Sequence, residues 1–162
     1  MIHESAYIHP TAVIYEGVVI EEGVYIGPLC IIGGPAEWKG KEDNVGKVVI
    51  CKGARLTGLV TVDSGTHQNT IIGENAYLMK HSHCGHDSVI GEGVTISCGA
   101  KIGGHSIIHK NTNIGLNAVI HQKVVVPEGC MIGASAFVGK KSELQAFHKY
   151  AGVPVKDLGW NR

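Results

Sequence analysis

Large aliphatic side chains recur at every sixth residue along most of this chain. Twelve consecutive positions from Ile72 to Val138 follow the period without a break, and shorter runs start at Ile8 and Ile50. Four residues after each anchor stands a small or β-branched side chain, as at Ala100. A period of six fits neither an amphipathic helix nor an alternating strand. It predicts an all-β fold, a parallel β-helix with three short strands per coil, in which residues n and n+18 stack about 4.8 Å apart.

Two polar interruptions and a change near the C-terminus divide the chain. We predict a β-helix domain over residues 1–140, with an excursion loop at 33–47 (GGPAEWKGKEDNVGK) and a shorter polar bulge at Asp63–Asn69. Residues 141–162 are predicted as a short helix over Ser142–Tyr150, opened by a serine cap, followed by an extended tail. Such a helix would cover the end of the coil stack, where open strand edges need protection.

The amino-acid composition supports this fold and argues against some classes of binding partner. The 23 glycines, 18 isoleucines and 18 valines favour strands and turns over helices. Lys and Arg together number 14, as do Asp and Glu, so no basic field attracts nucleic acid or an anionic membrane. No apolar run is long enough for a membrane span and residues 1–14 lack a signal-peptide pattern, so we expect a cytoplasmic protein. The five cysteines include no Cys-x-x-Cys pair, which argues against disulfides and a cysteine-rich zinc site.

The histidines carry the main functional signal. Ten are present, and the segment 81–87 holds three of them before it ends in an aspartate. One coil after His86 comes Gly104, immediately before His105, so His86 and His105 are expected to lie near one another. A histidine in a polar groove can act as a general base near neutral pH, which suits deprotonation of a hydroxyl or an amine.

Three stretches carry a resemblance to a known family: KHSHCGHDSVIG, the opening MIHESAYIHPTAVI, and IGGHSIIHKNTNIGLNAVIHQ. They resemble the hexapeptide-repeat UDP-N-acetylglucosamine O-acyltransferases of lipid A synthesis, over Met1 to about Val138. The resemblance implies left-handed coils and a homotrimer with substrate grooves between subunits. It also implies acyl transfer from an acyl carrier protein thioester to the 3-hydroxyl of a nucleotide sugar, with no tightly bound cofactor.

The resemblance also implies roles for individual residues. His86 would be the general base, Asp87 would orient it, and the Gly104 amide would donate to the developing oxyanion. Neighbouring strand residues point to opposite faces, so the role of Asp87 requires a corner of the coil at this position. No metal ligand is implied, and the substrate-binding set is Glu37, Lys39, His83, His105, His121 and Gln122.

Other functions remain open from the sequence. The tail YAGVPVK resembles the Gly-x-Pro-x-Lys arm of acetyl-CoA-dependent hexapeptide enzymes, so the alternative is an N-acetyltransferase of a nucleotide-linked amino sugar, using a coenzyme A thioester. His81 and His86 have the His-x4-His spacing of zinc γ-type carbonic anhydrases, but Val45 stands where the third histidine is needed. A scaffold without activity would leave the histidine cluster unexplained. Trp38 and Trp160 are expected to pack at a subunit contact rather than stack on a base.

Overall fold

Short strands alternate with tight corners along nearly the whole chain, as the six-residue period requires. The structure is a computed structural model that describes residues 1–40 and 45–162. Residues 41–44 of the predicted excursion loop lie outside the described residues. The strands are β1 Tyr7–Ile8, β2 Val13–Ile14, β3 Val19–Ile20, β4 Tyr25–Ile26, β5 Ile31–Gly34, β6 Val48–Ile50, β7 Arg55–Leu56, β8 Thr61–Asp63, β9 Thr70–Ile72, β10 Tyr77–Leu78, β11 His83–Cys84, β12 Val89–Ile90, β13 Thr95–Ile96, β14 Lys101–Ile102, β15 Ile107–Ile108, β16 Asn113–Ile114, β17 Val119–Ile120, β18 Val125–Val126, β19 Met131–Ile132, β20 Phe137–Val138, β21 His148–Ala151 and β22 Lys156–Trp160.

The strands form three parallel sheets that close around one core. Every third strand joins the same sheet, so the sheets run β1-β4-β7-β10-β13-β16-β19-β21-β22, β2-β5-β8-β11-β14-β17-β20 and β3-β6-β9-β12-β15-β18. In the regular part of the stack the pairing advances by one coil, with Val89 opposite Ile107 and His83 opposite Lys101. The fold is a left-handed parallel β-helix of about eight turns, which confirms the predicted fold class.

The anchor column forms the interior of the coils. From Ile20 onward every anchor is almost fully buried, whereas the first two, Ile8 and Ile14, are partly buried at the open end of the stack. From Val18 onward the small-residue column is also buried, including polar members such as Ser88 and Ser106. Two aligned columns, one large and one small, therefore fill the interior at every coil, which is why the period is visible in the sequence.

Two insertions lengthen the coils that precede the histidines. Ile31 pairs with Thr61, a separation of 30 residues, and Thr61 pairs with His83, a separation of 22. The coil containing the excursion loop therefore holds 12 more residues than the regular 18, and the coil containing the bulge holds four more. Both insertions leave the stack next to the coil that carries His83 and His86.

The helix predicted over Ser142–Tyr150 is wrong. The chain instead forms β21, which pairs in parallel with β19 and then turns back as β22 in an antiparallel hairpin, so the tail is not an extended arm. A nine-residue helix is marginal on its own, whereas the last strand of the stack offers unpaired main-chain groups along its edge. Tyr150 is buried over the last coil, which completes this cap. The described residues contain no helix suited to cross a lipid bilayer.

Candidate active site

His86 and Asp87 form a hydrogen-bonded pair at a corner of the coil, which we call the dyad. Asp87 has a φ of 59°, in the left-handed region, which turns its side chain to the same side as that of its neighbour. His86 Nδ1 lies 2.7 Å from Asp87 Oδ2. An ionised carboxylate only accepts hydrogen bonds, so the imidazole proton sits on Nδ1 and Nε2 keeps its lone pair. The corner that the role of Asp87 requires is present.

Asp87 also anchors the polar bulge. Its carboxylate accepts hydrogen bonds from the main-chain nitrogens of Thr66, at 3.0 Å, and of His67 and Gln68, both at 2.8 Å. The Thr66 hydroxyl donates a further bond at 2.8 Å. Burial by itself raises the pKa of Asp87, but the donors from Gln68, His86, His67 and Thr66 together hold that pKa well below its usual range. The carboxylate is therefore ionised at neutral pH and fixes both His86 and the bulge.

Gly104 lies directly against the His86 ring. A Cβ added at Gly104 would stand 2.7 Å from His86 Nε2, closer than any van der Waals contact, so only glycine leaves room for this ring. Within the described part of the chain the Gly104 amide has no main-chain acceptor. Gly104, the predicted oxyanion donor, therefore lies beside the predicted base.

Two aromatic rings contact the His86 imidazole, and a third packs against both of them. Trp38, from the excursion loop, stacks on it with ring centroids 5.5 Å apart and an interplanar angle of 24°. His105 stands edge-on at 4.9 Å, with its Nε2 3.7 Å from Asp87 Oδ2. His67 stacks on His105 at 5.9 Å. Burial lowers the pKa of His105, although the Asp87 charge opposes this, so His105 is mostly neutral at pH 7.

A pocket of about 370 Å³ opens at this cluster, and we call it the dyad pocket. Its lining residues are Glu37, Trp38, His86, His105, Gln122 and Lys123. Three members of the predicted substrate-binding set thus gather around the predicted base: Glu37, His105 and Gln122.

The rest of the predicted set lies elsewhere in the subunit. His83 lines a second pocket of about 660 Å³, to which Glu37 also contributes. His121 lines a third, of about 600 Å³, together with Phe137. Lys39 is exposed and lines none of these three pockets. One subunit therefore brings together the predicted catalytic residues and half of the predicted substrate-binding residues.

Comparison with known proteins finds a family that is similar to the segments on which this site is built. The family described as bacterial transferase hexapeptide (six repeats) matches residues 1–34 and 69–104, on both sides of the two insertions. The matched segments hold 70 of the 162 residues, so the chain is similar to this family over less than half of its length. The second matched segment includes the His86–Asp87 pair and Gly104.

Three curated proteins similar to this chain carry the same name. An acyl-[acyl-carrier-protein]–UDP-N-acetylglucosamine O-acyltransferase of Campylobacter concisus is 38% identical over 58 residues, which cover 34% of this chain and 22% of that relative. A UDP-N-acetylglucosamine acyltransferase structure from Bacteroides fragilis superimposes with a TM-score of 0.78 at 27% identity, covering 99% of this chain and 75% of that one. The Campylobacter jejuni acyltransferase gives a TM-score of 0.77 at 25% identity, with the same coverage.

A metal site at the dyad is a weaker interpretation than hydrogen bonding. Ligand atoms of His86, Asp87 and His105 all lie within 4.8 Å of one another. However, both Asp87 oxygens already accept hydrogen bonds from the bulge, and His86 Nδ1 faces Asp87 directly. His81 lines the second pocket and is not part of that group of three. The pairing of His81 with His86 that the carbonic anhydrase alternative needs therefore finds no support in the described residues.

The second pocket, which we call the Asp63 pocket, holds another carboxylate and imidazole. His83 Nδ1 bonds the Thr61 hydroxyl at 2.8 Å, and its Nε2 lies 3.7 Å from Asp63 Oδ2, too far for a hydrogen bond. Asp63 is buried, and within the described residues its Oδ2 has no hydrogen-bond partner. Burial raises the pKa of Asp63 to about 6. Burial also lowers the pKa of His83, so burial shifts both groups toward their neutral forms.

We expect Asp63→Asn to raise the free energy of unfolding at pH 8 and to change it little at pH 4. The folded-state pKa of Asp63, about 6, exceeds the ordinary value of 3.8, so the folded protein holds this proton more tightly than the unfolded chain does. The corresponding stability is present below about pH 4 and is lost as the pH rises through 6. At pH 8 the neutral amide avoids the buried charge, which is worth on the order of 1–2 kcal/mol. Urea unfolding at both pH values measures the difference, and an equal gain at both would contradict this account.

Three contributors to the site are not identified by the sequence pattern. Trp38, expected at a subunit contact, stacks on His86, whereas His67 and Asp63 belong to a bulge that the sequence marks only as polar. The number of residues between paired strands does indicate the bulge. Because the coil before His83 is four residues longer than the regular 18, its extra residues must leave the stack beside Asp87.

Proposed function

We propose that this chain is an acyltransferase that moves an acyl group from an acyl carrier protein thioester to the 3-hydroxyl of UDP-N-acetylglucosamine. The observation that carries the proposal is the His86–Asp87 pair, whose Nδ1–Oδ2 hydrogen bond of 2.7 Å leaves Nε2 as a base at the dyad pocket. The substrates come from the names of the relatives in Campylobacter, of whose length the matched segments span less than a quarter.

The reaction begins with removal of the hydroxyl proton. His86 Nε2 accepts this proton as the oxygen attacks the thioester carbonyl, and Asp87 stabilises the imidazolium that forms. The carbonyl oxygen becomes an oxyanion, to which the Gly104 amide donates. When the tetrahedral intermediate collapses, the C–S bond breaks and the thiolate takes the proton from His86. The products are the ester and a free thiol, and no cofactor is consumed.

The lining of the dyad pocket suits a sugar acceptor. Glu37 and Gln122 offer acceptors and donors for hydroxyl and amide groups, and His105 adds a mostly neutral imidazole. We propose that His83, His121 and Lys39 contact parts of the two substrates outside this pocket. His83 and His121 line two other pockets of the subunit and Lys39 is exposed, so a neighbouring subunit would complete their contacts with the substrates.

We expect the protein to form a homotrimer through the six-stranded sheet. The outward side chains of that sheet form an unbroken aliphatic ladder, and all are partly or fully exposed in the single subunit: Val19, Val49, Ile71, Val89, Ile107 and Val125. An exposed apolar strip of this length favours association. Sedimentation equilibrium at micromolar concentration should give three times the chain mass of 17.2 kDa. A monomer would contradict the proposal, and Val89→Glu should dissociate the trimer without unfolding the subunit.

An assay with defined substrates tests the reaction. The purified full chain is incubated with UDP-N-acetylglucosamine and acyl carrier protein thioesters of several chain lengths, and the nucleotide product is identified by mass spectrometry. A parallel reaction contains acetyl-CoA and an amino-sugar nucleotide. An O-acylated nucleotide sugar that forms with wild type but not with His86→Asn supports the proposal. An acetamido product from acetyl-CoA, with no O-acyl product, would overturn it in favour of N-acetyl transfer.

A further inference from the structure

Trp38 occupies an unusual place for a large aromatic side chain. It is 42% exposed, yet one face of its indole covers the imidazole of His86, with ring centroids 5.5 Å apart and 24° between the planes. His67 and His105 meet the same indole edge-on, at 6.2 and 6.3 Å. Burial of apolar area alone does not account for a tryptophan that is half in solvent and stacked on a polar ring.

The charge that develops on His86 gives this contact a function. An aromatic face attracts a cation that lies within about 6 Å of the ring centroid, and tryptophan does so most strongly. A neutral imidazole gains little from the same contact. The stacking energy between Trp38 and His86 therefore increases when His86 accepts a proton, which is the moment at which the acceptor hydroxyl attacks.

Other titratable groups act on His86 from other directions. Asp87 bonds the Nδ1 edge, and His105 of the next coil meets the ring edge-on. Glu37 of the excursion loop and Lys123 of the coil beyond share the dyad pocket. His67 of the bulge touches Trp38 and His105, while Asp63 and His83 lie in the neighbouring Asp63 pocket. Trp38 is the group stacked on the flat face of the imidazole.

We propose that Trp38 is a positioning residue that stabilises the imidazolium form of His86 in the transition state of acyl transfer. The inference rests on the proposed role of His86 as general base. It assigns to the excursion loop a part in turnover, in addition to any part in substrate binding.

Kinetics of two substitutions test the proposal. Trp38→Leu removes the aromatic face and should lower kcat by about 3- to 30-fold, the range that corresponds to cation–π energies, while KM changes by less than threefold. Trp38→Phe keeps a weaker aromatic face and should recover part of the rate. Trp160→Phe is the matched control, because Trp160 contacts His148 of the tail hairpin and not the dyad. If Trp38→Leu raises KM at unchanged kcat, Trp38 only contacts the substrate. If Trp38→Leu speeds turnover, Trp38 only restricts access to the pocket. Either result would overturn the proposal.

A spectroscopic measurement tests the contact without turnover. The chain has two tryptophans, so Trp160→Phe leaves Trp38 as the single emitter. A protonated imidazole quenches a stacked indole, so emission should fall as the pH is lowered, and His86→Asn should abolish this transition. A transition that survives in His86→Asn would arise from His67 or His105 and would overturn the proposal. If the emission transition is present but His86→Asn retains full turnover, the proposed catalytic role of His86 fails while the contact stands.

Discussion

Replacing His86 by asparagine is expected to lower turnover by about 10²- to 10⁴-fold, the usual contribution of a general base. Asparagine offers an N–H near the position of Nδ1, so it can still donate to Asp87, but it has no basic nitrogen in place of Nε2. The imidazole is nearly buried between Trp38, His105 and Asp87, so His86→Ala would also open a void. The asparagine variant therefore separates the loss of the base from the loss of packing.

His81→Ala is the matched control for this experiment. His81 lies five residues before His86 in the same coil, but it lines the Asp63 pocket and is exposed. We expect its turnover to stay within about twofold of wild type. Turnover of both variants is measured with UDP-N-acetylglucosamine and an acyl carrier protein thioester, and their melting curves are compared. Equal, near-complete losses at both positions would contradict the general-base assignment and would point to a metal held by both histidines.

Replacing Asp87 by asparagine is expected to lower the free energy of unfolding at pH 7 by about 3–5 kcal/mol, the range for removing one partner of a buried ionic network. The carboxylate accepts from three main-chain nitrogens of the bulge, from the Thr66 hydroxyl and from His86. An amide has one acceptor oxygen and places an N–H group against other donors. Turnover should fall as well, because His86 loses the partner that fixes its tautomer.

The pH dependence of the Asp87 effect has a defined sign. Since the folded-state pKa of Asp87 lies below its ordinary value of 3.8, the unfolded chain binds the proton more tightly. The stabilisation is therefore fully present above about pH 4 and is lost as the pH falls below that value. Urea unfolding at pH 7 and at pH 3 should show the gap between wild type and Asp87→Asn narrowing at the lower pH.

The tail hairpin provides a control for this comparison. His148 Nδ1 lies 2.8 Å from Asp157 Oδ2, so the pair has the same chemistry and nearly the same geometry as His86–Asp87. Asp157 is exposed, and solvent screening makes exposed ion pairs weak. Asp157→Asn should therefore destabilise the protein only slightly. If Asp87→Asn costs no more than Asp157→Asn, the bulge does not depend on the buried carboxylate.

The predictable parts of the molecule are those fixed by the repeat. The interior is built from identical positions in successive coils, so the period alone assigns Ile72 through Val138 to the core, where all twelve anchors lie buried. The stacking of n on n+18 also places His105 beside His86, and their ring centroids are 4.9 Å apart. The sequence also shows that Asp87 can contact His86 only if the coil turns a corner at Asp87. The positive φ of Asp87 shows that it does.

The parts that the sequence does not predict depend on segments outside the repeat. Trp38 and His67 reach the dyad from insertions whose paths are set by tertiary contacts, such as the hydrogen bonds from the bulge to Asp87, and not by any local periodicity. The C-terminal segment has helix-forming residues, but the open edge of β19 provides stronger partners than solvent does. The helix propensity of those residues is real, but it takes no account of the pairing that the edge of β19 offers them.

In the regular part of the stack each coil advances the chain by 18 residues, so residues whose numbers differ by 18 lie on the same face of the molecule. Adding one whole coil after β18, beyond the last coil that contributes to the dyad pocket, would lengthen the stack while every other side chain kept its face. Adding or removing a single hexad between β12 and β17 would instead rotate everything downstream by one third of a turn and carry Gln122 away from His86. The number of coils beyond the site can therefore change with little effect on the proposed chemistry. A shift of the repeat by part of a coil would instead separate the residues of the site. The distance from the dyad to the capping hairpin is thus a variable that can change independently of the chemistry.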